Sequence, residues 1–181
     1  MQRKAFEAFQ QGDLARTERL CTGLLEHVPD DFDTLHLLGM VNFRRHRLAE
    51  ALRLLGAALK ANSVSSEAMS NLGLALHTAG QYDEAISRYR SALQLEPDHP
   101  EFLYNLGNSY LELGRYDEAV ASYDAALAAK PDHVGALVNR GNTQLRLNAP
   151  LAALANYDAA RALMPRHPQI LTNRGHTLRR L

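Results

Sequence analysis

Apolar residues recur along this chain at the spacing that places side chains on one face of an α-helix. Residues 98–131 contain two such stripes: Leu103, Leu106, Tyr110 and Leu113, then Ala119, Val120, Tyr123, Ala126 and Leu127. Asp98, with Glu101 three residues later, suits the start of the first helix. Gly114 suits its end in the left-handed conformation, and Pro131 ends the second helix. The segment is therefore predicted to form two helices joined by a short turn.

The same pattern returns every 34 residues. Segments 98–131 and 132–165 are identical at 16 of 34 positions. Glycine, asparagine and tyrosine each recur at this spacing, as Gly39, Gly73, Gly107, Gly141 and Gly175; as Asn71, Asn105, Asn139 and Asn173; and as Tyr89, Tyr123 and Tyr157. A two-helix unit of this length cannot bury its apolar face alone, so successive units must stack. The predicted fold is all-α, a solenoid of antiparallel helix pairs.

Small residues are expected where the two helices of a pair cross. Gly107 is predicted to lie at such a crossing opposite alanines, while tyrosine and leucine fill the space between neighbouring pairs. Asn148 takes the place of Gly80 and Gly114, because asparagine is the next-best residue for a left-handed helix end. Pro150 is expected at the first position of a helix, where no backbone N–H is needed.

These residues resemble the tetratricopeptide repeat, whose period is 34 residues. Its pattern of a large residue, Leu, Gly and Tyr, then Ala, Tyr, Ala and Pro, is met by Leu103, Leu106, Gly107, Tyr110, Ala119, Tyr123, Ala126 and Pro131, and closely by Met69, Leu72, Gly73, Leu76, Ala85, Tyr89, Ala92 and Pro97. The resemblance covers essentially the whole chain. It implies a right-handed superhelical solenoid whose concave face comes from the first helix of each repeat.

A single domain, residues 1–181, is predicted. It would contain four complete repeats, 32–65, 66–99, 100–133 and 134–167. Residues 1–31 resemble a degenerate first repeat. Residues 168–181 resemble the first helix of a further repeat and are expected to cap the preceding core, with Ile170, Leu171, Leu178 and Leu181 on one side.

The asparagine strings around Gly107, Gly141 and Gly175 resemble the repeat arms of O-linked N-acetylglucosamine transferases and of SPINDLY-like bacterial proteins. That resemblance implies a peptide-binding ladder along the inner surface, made of Asn71, Asn105, Asn139 and Asn173. Leu37 breaks the ladder in the first full repeat. An amide can donate and accept, so it matches a peptide unit whatever its side chain. The alternative is that these asparagines bond a neighbouring repeat or face water.

Partner side chains would then be recognised by residues near the ladder: Tyr104, Asn108, Asn142 and Arg146. Charge is uneven in this part of the chain, because seven arginines follow His133 against a single acid, Asp158. Arg146, Arg179 and Arg180 are expected to reach the concave side and to favour acidic partners, while some of the arginines are expected to face outward and to be solvated.

Composition narrows the classes of function. The 181 residues are 46% apolar and 22% charged, with 20 basic and 20 acidic residues. This balance argues against nucleic acid as the partner, and no run is long and apolar enough to cross a membrane. Without an apolar region after Met1 a secretory signal is not expected, so a cytoplasmic location is predicted. The single cysteine, Cys21, is expected to be a buried core residue.

No catalytic, metal or cofactor site is predicted. His99, His133 and His167 fall in the turns between repeats, too far apart to share a metal. His36, His77 and His176 are expected on the concave side, where a ligand role is left open.

The leading function is therefore a non-catalytic scaffold that binds a protein or peptide, with the oligomeric state left open. An alternative is the substrate-recruiting arm of a larger glycosyltransferase. A chaperone-docking module is less favoured, because Tyr104, Gln169 and Asn173 stand where it needs basic residues.

Overall fold

The computed structural model describes all residues 1–181 and confirms the all-α class. Its eleven helices are α1 Gln2–Gln10, α2 Leu14–Leu25, α3 Phe32–Arg44, α4 Leu48–Ala61, α5 Ser66–Thr78, α6 Tyr82–Leu95, α7 Pro100–Glu112, α8 Tyr116–Ala129, α9 Val134–Arg146, α10 Pro150–Leu163 and α11 Pro168–Leu178. The first ten form five consecutive pairs, and α11 follows the last pair. Short turns of three residues join the two helices of each pair.

The helices group into two compact units, an N-terminal unit of Met1–Leu95 and a C-terminal unit of Glu96–Leu181. In the N-terminal unit three pairs stack in sequence order, since α2 packs on α3 and α4 packs on α5. In the C-terminal unit α8 packs on α9, and α11 packs on α10. Each unit is thus a stack of helix pairs, and the description of the chain as a single domain stays a prediction.

The turn inside each pair is fixed by one residue with a left-handed backbone. These residues are spaced by 34 and have φ between 57° and 77°: Gly12, His46, Gly80, Gly114 and Asn148. At Gly114 the backbone N–H donates to the carbonyl of Leu111, and the next N–H donates to that of Tyr110. The expectation for Gly80, Gly114 and Asn148 is confirmed. His46 was not expected in this conformation, which a histidine adopts only at a cost.

Helix starts differ from the prediction at one place. The residue that precedes α7 is His99, not Asp98, and Pro100 takes the first helical position. Proline is favoured there because its φ is already helical and its missing N–H is not needed. His133 and His167 hold the equivalent position before α9 and α11. His133 caps α9 directly, because its Nδ1 accepts the N–H of Ala136 at 3.2 Å.

The glycine ladder allows the two helices of a pair to pack closely. A Cβ added to Gly107 would lie 2.6 Å from the ring of Tyr123, and one added to Gly73 or Gly141 would meet Tyr89 or Tyr157 at 2.9 and 2.8 Å. The close approach predicted for Gly107 is confirmed, but its neighbour is an aromatic ring rather than an alanine. Nothing lies within 4 Å of a Cβ added to Gly175.

The last helix buries fewer apolar residues than its sequence suggests. Ile170 and Thr177 are buried against the rest of the C-terminal unit. Leu171 and Leu178 are each 44% exposed, and Leu181 is also exposed. The expected row of four apolar residues is therefore wrong, because Ile170 alone of the four is buried.

Candidate functional site

The ladder asparagines of the C-terminal unit lie in a network of side-chain hydrogen bonds. Asn139 Nδ2 donates to Asn108 Oδ1 at 2.8 Å and to the Tyr104 hydroxyl at 3.3 Å. The hydroxyl of Tyr123 donates to the same Asn108 Oδ1, also at 2.8 Å. Asn108 therefore joins the second helix of its own pair to the first helix of the next pair.

The same arrangement recurs 34 residues later. Asn173 Nδ2 donates to Asn142 Oδ1 at 3.1 Å, and the Tyr157 hydroxyl donates to that oxygen at 2.7 Å. Burial raises the pKa of Tyr157 to about 12 and raises the pKa of Tyr123 further. Each phenol therefore keeps its proton at neutral pH, and it donates that proton because an amide oxygen can only accept.

These bonds leave a defined set of polar atoms unused. Asn139 donates two Nδ2 bonds to the neighbouring repeat and Asn173 donates one, while both keep their Oδ1 acceptors. Asn108 and Asn142 spend their Oδ1 and keep both Nδ2 hydrogens. All four side chains are partly exposed. Asn108 and Asn142, which were expected to recognise partner side chains, also tie neighbouring repeats together, and their role toward a partner stays a prediction.

The other two ladder positions have different surroundings. Asn105 is half-buried on α7 and takes no part in this network. In the N-terminal unit, Asn71 Nδ2 lies 2.9 Å from Nε2 of His36. Burial lowers the pKa of His36, against the opposing effect of Glu67 and Asp33. Because an amide nitrogen can only donate, Nε2 of His36 is the acceptor in this contact.

The hydrogen-bond network between asparagines and tyrosines is interrupted in the N-terminal unit, because one repeat has a different residue at the asparagine position. Leu74 occupies the position that Asn108 and Asn142 hold in later repeats. The Tyr89 hydroxyl is buried and has no hydrogen-bond partner. The tyrosine ladder therefore continues without the amide that would satisfy it.

Two of the seven C-terminal arginines have structural partners on the preceding pair. Arg140 donates to Asp124 and, through Nε, to Asn156 Oδ1 at 2.7 Å. Arg174 Nε donates to Asp158 at 2.6 Å. Both occupy the position of Leu106 one and two repeats earlier. The expectation that the outward arginines are simply solvated is wrong for these two, because aspartates on the facing helix hold them.

A groove in the C-terminal unit, here the C-terminal groove, has a volume of about 760 Å³. It is lined by Leu111, Glu112, Tyr116, Asn142, Leu145, Arg146 and Arg180. Arg146 and Arg180 are exposed and form no ion pair. Arg179 instead points its guanidinium to Nδ1 of His176, 2.8 Å away. Arg146 and Asn142 line the same groove, and their role in recognising a partner stays a prediction.

A second groove, the N-terminal groove, has a volume of about 600 Å³ and is formed by the first helices α1, α3 and α5. Its apolar lining comes from Phe6, Phe9, Phe32, Leu37 and Met40. Leu37 and Met40 stand where later repeats have asparagine. The lining of the N-terminal groove is therefore more apolar than that of the C-terminal groove, a contrast that the asparagine ladder alone did not indicate.

The remaining histidines, acidic residues and the cysteine form no metal-binding cluster. No group of three or more His, Cys, Asp or Glu side chains comes together. His77 packs edge-on against Tyr82 at 5.2 Å. Cys21 is fully buried, and burial, with a smaller effect of Asp31, raises its pKa to about 11. None of the helices is both long and apolar enough to cross a membrane.

Stacked helix pairs with small residues at their crossings and grooves along their first helices define a helical-repeat scaffold. Two sequence models of the tetratricopeptide repeat match residues 36–100 and 76–141. Together they span residues 36–141, more than half of the 181 residues. The chain belongs to the tetratricopeptide repeat family, whose repeats are non-catalytic scaffolds typical of protein–protein interaction.

Similar proteins of known structure have the same fold. MamA from Desulfovibrio magneticus RS-1 superposes with a TM-score of 0.85 at 16% identity, over 92% of this chain and 94% of that one. YrrB, described as a TPR protein with an unusual peptide-binding site, gives 0.81 at 23% identity, over 93% and 87%. PilF from Pseudomonas aeruginosa gives 0.84 at 19% identity, over 95% and 78%.

A sequence relative comes from Caenorhabditis elegans. Its UDP-N-acetylglucosamine–peptide N-acetylglucosaminyltransferase is 32% identical over 77 residues, which are 42% of this chain. The match corresponds to only 7% of that enzyme's length.

Proposed function

We propose that this protein binds an extended segment of a partner protein through the asparagines on the first helices of its repeats. The observation that carries the proposal is the paired use of amides at Asn108 with Asn139 and at Asn142 with Asn173. Each pair keeps one acceptor oxygen, on Asn139 or Asn173, and one donor group, on Asn108 or Asn142. A peptide unit needs one of each.

The internal bonds also preorganise the recognition groups. An amide whose other half is hydrogen-bonded to the next repeat has already lost most of its rotational freedom. Binding then costs less side-chain entropy, which is typically about 0.5–1.5 kcal/mol for each flexible side chain. The tyrosine beneath each pair supports the same geometry, since Tyr123 and Tyr157 hold the asparagine oxygens from the core side.

The sequence of the partner would be read only loosely by these contacts. Each neutral hydrogen bond contributes about 0.5–1.5 kcal/mol net, so several pairs must act together. Side-chain preferences would come from groups beside the amides, namely Tyr104 and Arg146. The likeness to YrrB is one of fold alone, and its peptide-binding site is a property of that protein.

An experiment with modified peptides tests the backbone contacts without altering the protein. A displayed library of random twelve-residue peptides is selected on the immobilised full chain, and the selected peptide is synthesised with single amide-to-ester replacements. An ester removes one N–H and keeps the side chain. We expect affinity to fall about two- to tenfold at positions that face Asn139 or Asn173 and to stay unchanged between them. Equal affinity for every ester peptide would contradict the proposal.

A second candidate function is the substrate-recruiting arm of a glycosyltransferase. It is favoured by the 32% identity to the Caenorhabditis elegans enzyme. The same amide pairs would then hold the acceptor protein while a separate catalytic region transfers the sugar. The natural gene decides between the two, because this candidate requires a glycosyltransferase region in the same product.

A further inference from the structure

The C-terminal groove contains two arginines that the fold does not use. Arg146 and Arg180 occupy equivalent positions in consecutive repeats and both line this groove. Neither has an acidic partner, although Arg140 and Arg174, each six residues earlier in the sequence, are held by Asp124 and Asp158. The groove arginines therefore keep their full donor capacity, five N–H groups each in a planar fork.

A carboxylate occupies the same position one repeat earlier. Glu112 lines the groove, is exposed, and forms no ion pair. Glu112, Arg146 and Arg180 thus follow each other at 34-residue spacing with charges of minus, plus and plus. Asn142 and Tyr116 also line the groove, where the free Nδ2 group of Asn142 adds a neutral donor and the Tyr116 ring adds an aromatic surface.

We propose that the C-terminal groove binds an acidic peptide segment, with two carboxylates on Arg146 and Arg180 and a basic side chain facing Glu112. This inference rests on the proposed peptide-binding function, and it adds which charges the bound peptide should carry. Charge complementarity carries it, because two unpaired guanidinium groups favour carboxylates while a single carboxylate at one end favours the opposite charge.

The spacing of the charges follows from the repeat. Successive helix pairs lie roughly 10 Å apart along the stack. A polyproline II segment advances about 3.1 Å per residue with three residues per turn, so every third side chain points the same way. The ligand should therefore carry one basic and two acidic residues, each separated by two others.

The test uses the full chain and blocked nine-residue peptides with a fluorescent label. The charged probe has one lysine and two aspartates, each separated by two small residues. The control probes are its glutamine-and-asparagine analogue and a scrambled peptide of the same composition. Anisotropy is measured at 20 mM and 500 mM NaCl, because exposed ion pairs are screened at high salt. We expect the charged probe to bind about five- to twentyfold more tightly than both controls at low salt only.

Matched variants locate the contacts. Arg146→Gln and Arg180→Gln should each reduce affinity for the charged probe about two- to fivefold without changing the neutral analogue. Arg166→Gln is the control, because Arg166 is exposed outside the groove. Arg146→Glu should prefer a probe whose matching aspartate is replaced by lysine. This reversal would require a direct contact rather than a general effect of net charge.

The outcomes separate this inference from the function on which it rests. Equal binding of charged and neutral probes, or equal losses in Arg166→Gln and Arg146→Gln, would overturn the charge assignment and leave peptide binding intact. If none of the probes binds while the library-selected peptide does, the charge assignment also fails. If neither binds, both the inference and the proposed function fail.

Discussion

The side-chain amide of Asn139 donates to the side-chain oxygen of Asn108, 2.8 Å away on the preceding pair of helices. The same oxygen accepts the Tyr123 hydroxyl, so one carbonyl links three helices. In the repeat that contains Tyr89, Leu74 occupies the position of Asn108, and the Tyr89 hydroxyl has no hydrogen-bond partner. Tyr123 and Tyr89 hold equivalent positions in their repeats, but only the hydroxyl of Tyr123 has a hydrogen-bond partner.

That difference predicts opposite effects of the same substitution. Tyr123→Phe should lower the free energy of unfolding by about 0.5–1.5 kcal/mol, because it removes a buried hydrogen bond and leaves Asn108 with one partner fewer. Tyr89→Phe should be neutral or stabilising, since it removes a buried group that has no partner. Urea unfolding followed by circular dichroism measures both. Equal losses in the two variants would mean that Asn108 contributes nothing to stability.

The glycine ladder gives a second matched pair. Gly107→Ala should destabilise, because the new Cβ would lie 2.6 Å from the Tyr123 ring, and Gly107→Leu should cost about 1–3 kcal/mol through overpacking. Gly175→Ala should be neutral or stabilise by up to about 1 kcal/mol, since alanine is the better helix former and nothing lies nearby. Thermal unfolding measures both alanine variants. Destabilisation by both would show that the gain in helix propensity at Gly175 does not exceed the other effects of the substitution.

Left-handed turn residues predict a third pair. Gly114→Val should destabilise, because a β-branched residue resists the φ of +70° found there. His46→Gly should stabilise by about 1 kcal/mol, because His46 holds φ 58° at the equivalent turn. Chemical unfolding of both variants gives the comparison. A loss of stability in His46→Gly would indicate that the imidazole makes a contact worth more than the backbone cost.

Sequence periodicity predicted most of the fold because the recurring residues are types that favour a particular backbone conformation. Gly80, Gly114 and Asn148 indicated left-handed turns by type alone. His46 was missed because histidine carries no such signal, although its position on the 34-residue ladder does. A bond from Asn139 to a neighbouring repeat was the stated alternative, but its partner, Asn108, was not predicted. The bond joins different positions in neighbouring repeats, and no single ladder contains both residues.

The last helix provides a prediction about the end of the C-terminal unit. Deleting residues 168–181 should expose the surface that Ile170 covers and remove the bonds of Asn173 and Arg174 to the preceding pair. Burying one such side chain is worth about 1.5–3 kcal/mol, so the melting temperature should fall by about 4–10 °C. Ile170→Ala isolates the apolar part. An unchanged melting curve and an unchanged elution volume would show that the helix caps nothing.

Cys21 predicts a pH dependence. Its folded pKa of about 11 lies above the value near 9 of a free thiol, so the folded state holds the proton more tightly. Stability should be unaffected below pH 9 and should fall by about 1.4 kcal/mol per pH unit between pH 9 and 11. The tyrosines act in the same direction, so the contribution of Cys21 is the difference from Cys21→Ala. A difference that is constant from pH 8 to 11 would contradict the assignment.

The asparagines of the ladder carry the functional prediction. Single changes of Asn105, Asn139 or Asn173 to alanine should weaken binding of the library-selected peptide by about tenfold or less, and the triple change should abolish detectable binding. Asn139→Ala and Asn173→Ala each also remove one bond between repeats, so a loss of about 0.5–1.5 kcal/mol in unfolding free energy is expected for each. Tyr123→Phe with Tyr157→Phe is the control, because it removes comparable bonds and leaves the amides in place. If the triple variant and this control lose affinity equally, the asparagines act only by holding neighbouring repeats together. Wild-type affinity in a folded triple variant would refute the ladder itself, whereas loss confined to the triple variant requires direct contact with the peptide.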